Sequence, residues 1–171
     1  MRRFVAILGV VALLAFTAGP VLAKGDQGVP FKGTMWGNEV TFNPVIPAGR
    51  CVEMAGVADA LTTFTISGYA THLGWVDVVA EHCSDFDTGT YGDGRLTITA
   101  ANGDILKGTY TGGFTTAPCP LCGFQDDFTF VDGGTGRFAF ASGGGTEVGV
   151  FNFDTLDTWV YMEGVISYEK G

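Results

Sequence analysis

Four cysteines, two histidines and a few mid-strand carboxylates are the side chains of this 171-residue chain whose types and spacing could do chemistry. Cys51, Cys83, Cys119 and Cys122 allow three disulfide connectivities, of which Cys119–Cys122 with Cys51–Cys83 is favoured. Cys119-Pro120-Leu121-Cys122 has the spacing of a redox motif, which needs its first cysteine at a helix N-terminus to lower the thiol pKa. The following Gly123-Phe124-Gln125-Asp126-Asp127 does not begin a helix, and its two carboxylates oppose thiolate formation. Zinc would find only one pair with ligand spacing, and oxidation competes for those thiols. Neither a metal site nor a cofactor is expected. His72 sits in a turn, where a local backbone hydrogen bond is its plain role. His82 precedes Cys83 near Asp85 and Asp87, a set able to hold a metal or move a proton, though a solvated turn is the commoner meaning. Asp85-Phe86-Asp87-Thr88-Gly89 lacks the distal bidentate Glu of a calcium loop. No serine stands in a nucleophile elbow.

The carboxylates Asp77, Glu81 and Glu163 differ from the rest because they fall in mid-strand among apolar neighbours. Asp77 and Glu81 share a strand face with Trp75 and Val79; Glu163 shares one with Trp159, Tyr161 and Val165. If those faces point inward, desolvation raises each carboxyl's pKa and suits it to general acid–base work, which makes the three the candidate catalytic residues. If they point outward, the acids are solvated and the rings cover the exterior. Arg95 and Arg137 are available as structural partners for such acids.

The elements that must position these groups are strands. Thr90 to Ala100 places Leu96, Ile98 and Ala100 on one face and Arg95, Thr97 and Thr99 on the other, a period of two. Asn102-Gly103 is a hairpin turn, since both central positions need positive φ. Extended runs are expected at Phe31–Thr41, Leu61–Ala70, Leu73–Cys83, Ile105–Phe114, Gly123–Val131, Arg137–Ala141, Thr146–Phe153 and Thr158–Tyr168, with a flexible Gly143-Gly144-Gly145 between two of them. No stretch sustains a helical apolar period. About eight short strands joined by tight turns predict an all-β, eight-stranded antiparallel up-and-down barrel, with a β-sandwich as the alternative. In such a barrel the turns alternate between mouths. His72, Asn102-Gly103 and Asp132-Gly133-Gly134 then share one mouth, and the four cysteines cluster at the other.

Residues 1–23 read as a secretory signal: Arg2 and Arg3, an uncharged apolar run from Phe4 to Phe16, Gly19-Pro20, then Val21-Leu22-Ala23 at the cleavage site. That predicts one mature domain over residues 24–171, exported to the periplasm or secreted, without stable membrane insertion. Loss of the two arginines leaves 7 basic against 18 acidic residues, a net charge of −11 that repels nucleic acid.

Three short motifs carry a resemblance: Ala70-Thr71-His72-Leu73-Gly74, Thr99-Ala100-Ala101-Asn102-Gly103-Asp104 and Gly133-Gly134-Thr135-Gly136-Arg137-Phe138, the last followed by Ala141 and Gly143. They resemble a group of small exported bacterial proteins related to the allene oxide cyclase and dirigent barrels, over roughly residues 60–145. The resemblance implies an eight-stranded barrel with a central pocket. Its motifs are turn motifs, and they bring no catalytic residues with them. Three functions follow as expectations. The first is binding of a small apolar ligand, favoured by 14 Phe, 5 Tyr and 3 Trp. The second is a structural or interaction barrel, forming a homo-oligomer through Trp159–Met162. The third is a cofactor-free cyclase or isomerase acting on an unsaturated apolar substrate, with Glu163, Asp77 or Glu81 as proton carrier.

Overall fold

The computed structural model describes residues 28–44, 50–51, 58–116 and 120–168; the expected signal over residues 1–23 and the cysteine at 119 lie outside them. Alternating apolar and polar residues produce eight strands: β1 (Val29–Pro44), β2 (Ala60–Ala70), β3 (Gly74–Asp85), β4 (Thr90–Ala100), β5 (Ile105–Phe114), β6 (Leu121–Val131), β7 (Ser142–Asn152) and β8 (Thr158–Ser167). Each pairs antiparallel with the next, and β8 pairs back onto β1. The result is a closed up-and-down barrel with no free edge, which excludes the sandwich. Among the described residues no helix is long and apolar enough to cross a membrane.

Period two reads directly onto the barrel wall. In β6, Phe124, Asp126, Phe128 and Phe130 are buried while Gln125, Asp127 and Thr129 are exposed. In β8, Thr158, Val160, Met162 and Ile166 are buried while Trp159, Tyr161, Glu163 and Val165 are exposed. Two expected pieces change. Arg137–Ala141 is not extended, because Gly136–Phe138 turns as a short 3-10 segment. The three glycines at 143–145 lie within β7, paired to β8, and are not a flexible link. Close backbone approach is the reason. A Cβ on Gly145 would sit 2.1 Å from the Glu163 carbonyl oxygen, and one on Gly164 opposite would sit 2.1 Å from that of Gly144. Only glycine lets the two strands come so near.

The turns alternate as the topology requires. One mouth is closed. There Thr135 donates its backbone N–H to the Ile105 carbonyl (2.8 Å), and its hydroxyl accepts the Ile105 N–H (2.8 Å). This pairing holds Phe138 fully buried in the core at that end, its ring 5.8 Å from that of Tyr168. His72, at φ 68°, packs at this end with its Nε2 3.0 Å from the Pro30 carbonyl oxygen, so its hydrogen bond is to the backbone of β1. Cys51, Cys83 and Cys122 lie at the other mouth, which stays open.

Candidate functional site

Asp77, Glu81 and Glu163 all project outside the barrel. Asp77 is exposed and accepts a hydrogen bond from the Ser67 hydroxyl (2.7 Å). Glu163 pairs with the Lys32 ammonium (3.1 Å) and accepts from the Tyr161 hydroxyl (3.0 Å), contacts that hold its carboxyl below the usual range. Glu81 faces Arg50, 2.7 Å away. The desolvation that would make these three acids proton carriers is therefore absent, and the assignment is corrected. Strand parity explains it: Val76, Val78, Val160 and Met162 fill the inside, so the tryptophans and acids between them face out. Trp36 packs against Trp75 (5.6 Å between ring centroids) and Trp159 (6.2 Å) on that outer surface.

The chemistry lies inside, beneath the open mouth. A cavity there has about 610 Å³ of empty space, a figure that includes solvent at its opening. Phe42, Phe64, Phe114, Phe151 and Phe153 form much of its wall. Five of its polar residues form a row across consecutive strands, His82 (β3), Tyr91 (β4), Tyr110 (β5), Asp126 (β6) and Glu147 (β7), with Thr62, Ser84, Asp85, Thr90 and Thr158 also in the lining. His82 Nδ1 lies 2.9 Å from the Tyr110 hydroxyl oxygen. The imidazole stacks on Tyr91, with centroids 4.1 Å apart and planes inclined by 12°. The Tyr91 hydroxyl donates a short hydrogen bond to Asp126 Oδ1. Asp126 and Glu147 are direct cross-strand partners whose carboxyls meet in a hydrogen bond, which requires a proton between them.

Local features of the wall aim these side chains. β4 is bulged between Tyr91 and Arg95, where Asp93 adopts φ 46°, and this one extra residue shifts its register against both β3 and β5. A bulge re-aims side chains, and this one turns Tyr91 inward, onto His82, which follows the regular inward parity of β3. Arg50 clamps the bulge to β3. It bonds Glu81 Oε2 (2.7 Å), the Glu81 carbonyl (3.2 Å), Asp93 Oδ2 (3.0 Å) and the Asp93 carbonyl. The next residue, Cys51, is joined to Cys83, the first of the expected disulfides. Cys122 is disulfide-bonded too. Glu81 thus serves the clamp. Glycines make the room inside: a Cβ on Gly112 would lie 2.0 Å from Asp126 Oδ1, and one on Gly94 would lie 2.7 Å from the Tyr110 ring.

Burial sets the charges. Desolvation pushes Asp126 up to about 7, opposed by its hydrogen bonds from Tyr91 and Glu147. Glu147 is raised well above its ordinary value, by enclosure first and by the neighbouring Asp126 charge second. It keeps partial solvent contact through the cavity, so enclosure by the wall and access from the mouth coexist. Burial, reinforced by the Arg50 charge, lowers His82 to about 3, leaving a neutral imidazole. Burial also raises Tyr91 and Tyr110, which stay protonated. Near neutrality the carboxyl pair is the one part of this cluster that changes charge. No family model, curated protein or solved structure matches this chain.

Of the polar cluster, only His82 stands out in the sequence, and for the wrong reason: its neighbours in space are tyrosines, not Asp85 and Asp87. Asp85 instead accepts the backbone N–H groups of Asp87 and Thr88 (3.0 Å each) and caps its own turn. Asp126 did leave a signal, as the single acid on the aromatic face Phe124, Phe128 and Phe130. Glu147 shares its face with Gly143, Gly145, Gly149 and Phe151, which is too little pattern to mark it.

Proposed function

We propose that this is an exported barrel, of the allene oxide cyclase and dirigent kind, that binds a small, largely apolar molecule in its open mouth. One observation carries the reading: an aromatic-walled cavity at one end of an otherwise filled barrel, with a histidine, two tyrosines and two carboxyls meeting in one patch of its lining. Rings supply apolar contact area, and a small polar patch fixes orientation, the usual composition of a ligand pocket. The signal-like residues 1–23 and the Cys51–Cys83 disulfide support export. Native mass spectrometry of the mature protein from its own host, before and after organic extraction, tests the reading. A bound small molecule that extraction removes is the expected result. An empty cavity that also fails to take up N-phenyl-1-naphthylamine, a neutral apolar fluorophore, would overturn it.

A second reading, an interaction barrel, has its own observation. Trp36, Trp75 and Trp159 are 43%, 51% and 58% exposed on one outer face. Such a patch favours association of copies, and light scattering of the mature protein would return a single-chain mass if that reading is wrong.

A further inference from the structure

The floor of the cavity is a poor match to a purely apolar molecule. A ligand that displaces water from the mouth leaves any negative charge on these carboxyls without a countercharge, which costs free energy, and a hydrocarbon supplies none. We propose that the cavity selects an organic cation, an ammonium or quaternary ammonium group on an apolar body, with the charge seated over the Asp126–Glu147 pair. This rests on the ligand-binding reading and names the chemistry of that ligand.

Three observations converge on it. First, negative charge in the cavity has no fixed partner. Among the described residues none that lines it is Lys or Arg. Arg50, the nearest guanidinium, is held on the outside by Glu81 and Asp93. The groups facing the pair from neighbouring strands are Tyr91, Tyr110 and the neutral His82, with Asp85 at the rim. Second, the walls are ring faces. Phe64, Phe114, Phe124 and Phe151 join Tyr91 and Tyr110 around the acids, and the negative face of an aromatic ring attracts a cation most strongly where water is excluded. Third, the chain carries a formal charge of −9, a field that draws cations toward the mouth and repels anions. An anionic ligand would meet the wrong sign at every stage, and a neutral one would leave the negative charge of the pair without a countercharge.

The test is displacement of N-phenyl-1-naphthylamine from the mature protein at pH 7.5 by three competitors. These are benzyltrimethylammonium, its neutral carbon isostere neopentylbenzene, and benzylsulfonate. Benzyltrimethylammonium should displace the fluorophore at a concentration at least tenfold lower than neopentylbenzene, and benzylsulfonate should be the weakest. Glu147→Gln, at a partly exposed position, should cut the advantage of the cation several-fold while neopentylbenzene is unaffected. Asp126→Asn should do the same, and the glutamine variant keeps the test available if that one folds poorly. Equal displacement by cation and isostere, or an advantage that both variants retain, overturns the cation inference while leaving ligand binding intact. Failure of the fluorophore itself to bind would remove both.

Discussion

Replacing Asp126 by asparagine should make the protein more stable at alkaline pH and leave it unchanged in acid. Asp126 is 3% exposed, and its carboxyl rises from 3.8 to about 7 on folding. A carboxyl whose pKa is raised in the folded state binds more protons folded than unfolded. Its contribution is present in full below about pH 4 and is lost as pH climbs through about 7. A change from 3.8 to about 7 corresponds to a ceiling of about 4 kcal/mol. Water entering through the open mouth softens that to roughly 2 kcal/mol. The introduced amide would still accept the Tyr91 hydroxyl hydrogen bond but would carry no charge. The difference between Asp126→Asn and the parent should therefore grow from near zero at pH 4 to about 2 kcal/mol in favour of the variant at pH 8, or roughly 4–8 °C in Tm for a domain of this size. His82 titrates in both proteins, so the difference curve reports the carboxyl pair, Asp126 together with the Glu147 whose charge it influences. Thermal and urea melts of both proteins at several pH values provide the assay. A difference that stays flat with pH would refute the reasoning, since a lost hydrogen bond alone gives a constant offset.

The remaining expectations concern the supports of the site. The His82 ring resonances should show no titration between pH 8 and 5 in NMR spectra, because burial holds its pKa near 3; a midpoint near 6.5 would mean that the stacked, buried geometry is wrong. The sign on stability is opposite to that of Asp126, with His82 costing stability as pH falls from about 6.5 toward 3. Replacing Cys51 and Cys83 together by alanine opens a loop with a sequence separation of 32. It should cost about 3–4 kcal/mol in a denaturant melt and weaken fluorophore binding, because Arg50 and the β4 bulge it holds lose an anchor. Gly112→Ala should displace the Asp126 carboxyl, whose Oδ1 would lie 2.0 Å from the new methyl; binding of benzyltrimethylammonium should fall several-fold, and unchanged binding would argue against the placement of Asp126. Glu163→Gln should leave ligand binding unaltered, as expected for an acid on the outer surface.

Much of the barrel is written locally in the chain. The alternation through Leu96–Ala100 and the hairpin at Asn102-Gly103 depend on neighbours within a few residues, and both are present in the fold, although the loop spans Ala101–Gly103 and Gly103 alone, not Asn102, takes the expected positive φ. Turn parity then places His72 and the described cysteines at opposite mouths without any knowledge of side-chain packing. The inward direction of each strand was not legible in the same way. Trp75 and Val76, or Trp159 and Val160, are both apolar, so hydrophobicity cannot tell inside from outside until the strands close and one of each pair is turned into the interior. That ambiguity is why Asp77, Glu81 and Glu163 drew attention while Asp126 and Glu147 did not. The latter two are distant in sequence and become neighbours only through the register of β6 on β7. The bulge in β4 depends on partner strands as well, and it decides that Tyr91 points inward. Period and turn chemistry are short-range properties that a chain carries along its length. Register, closure and the burial that shifts a carboxyl's charge come into being only when residues far apart in sequence are brought together.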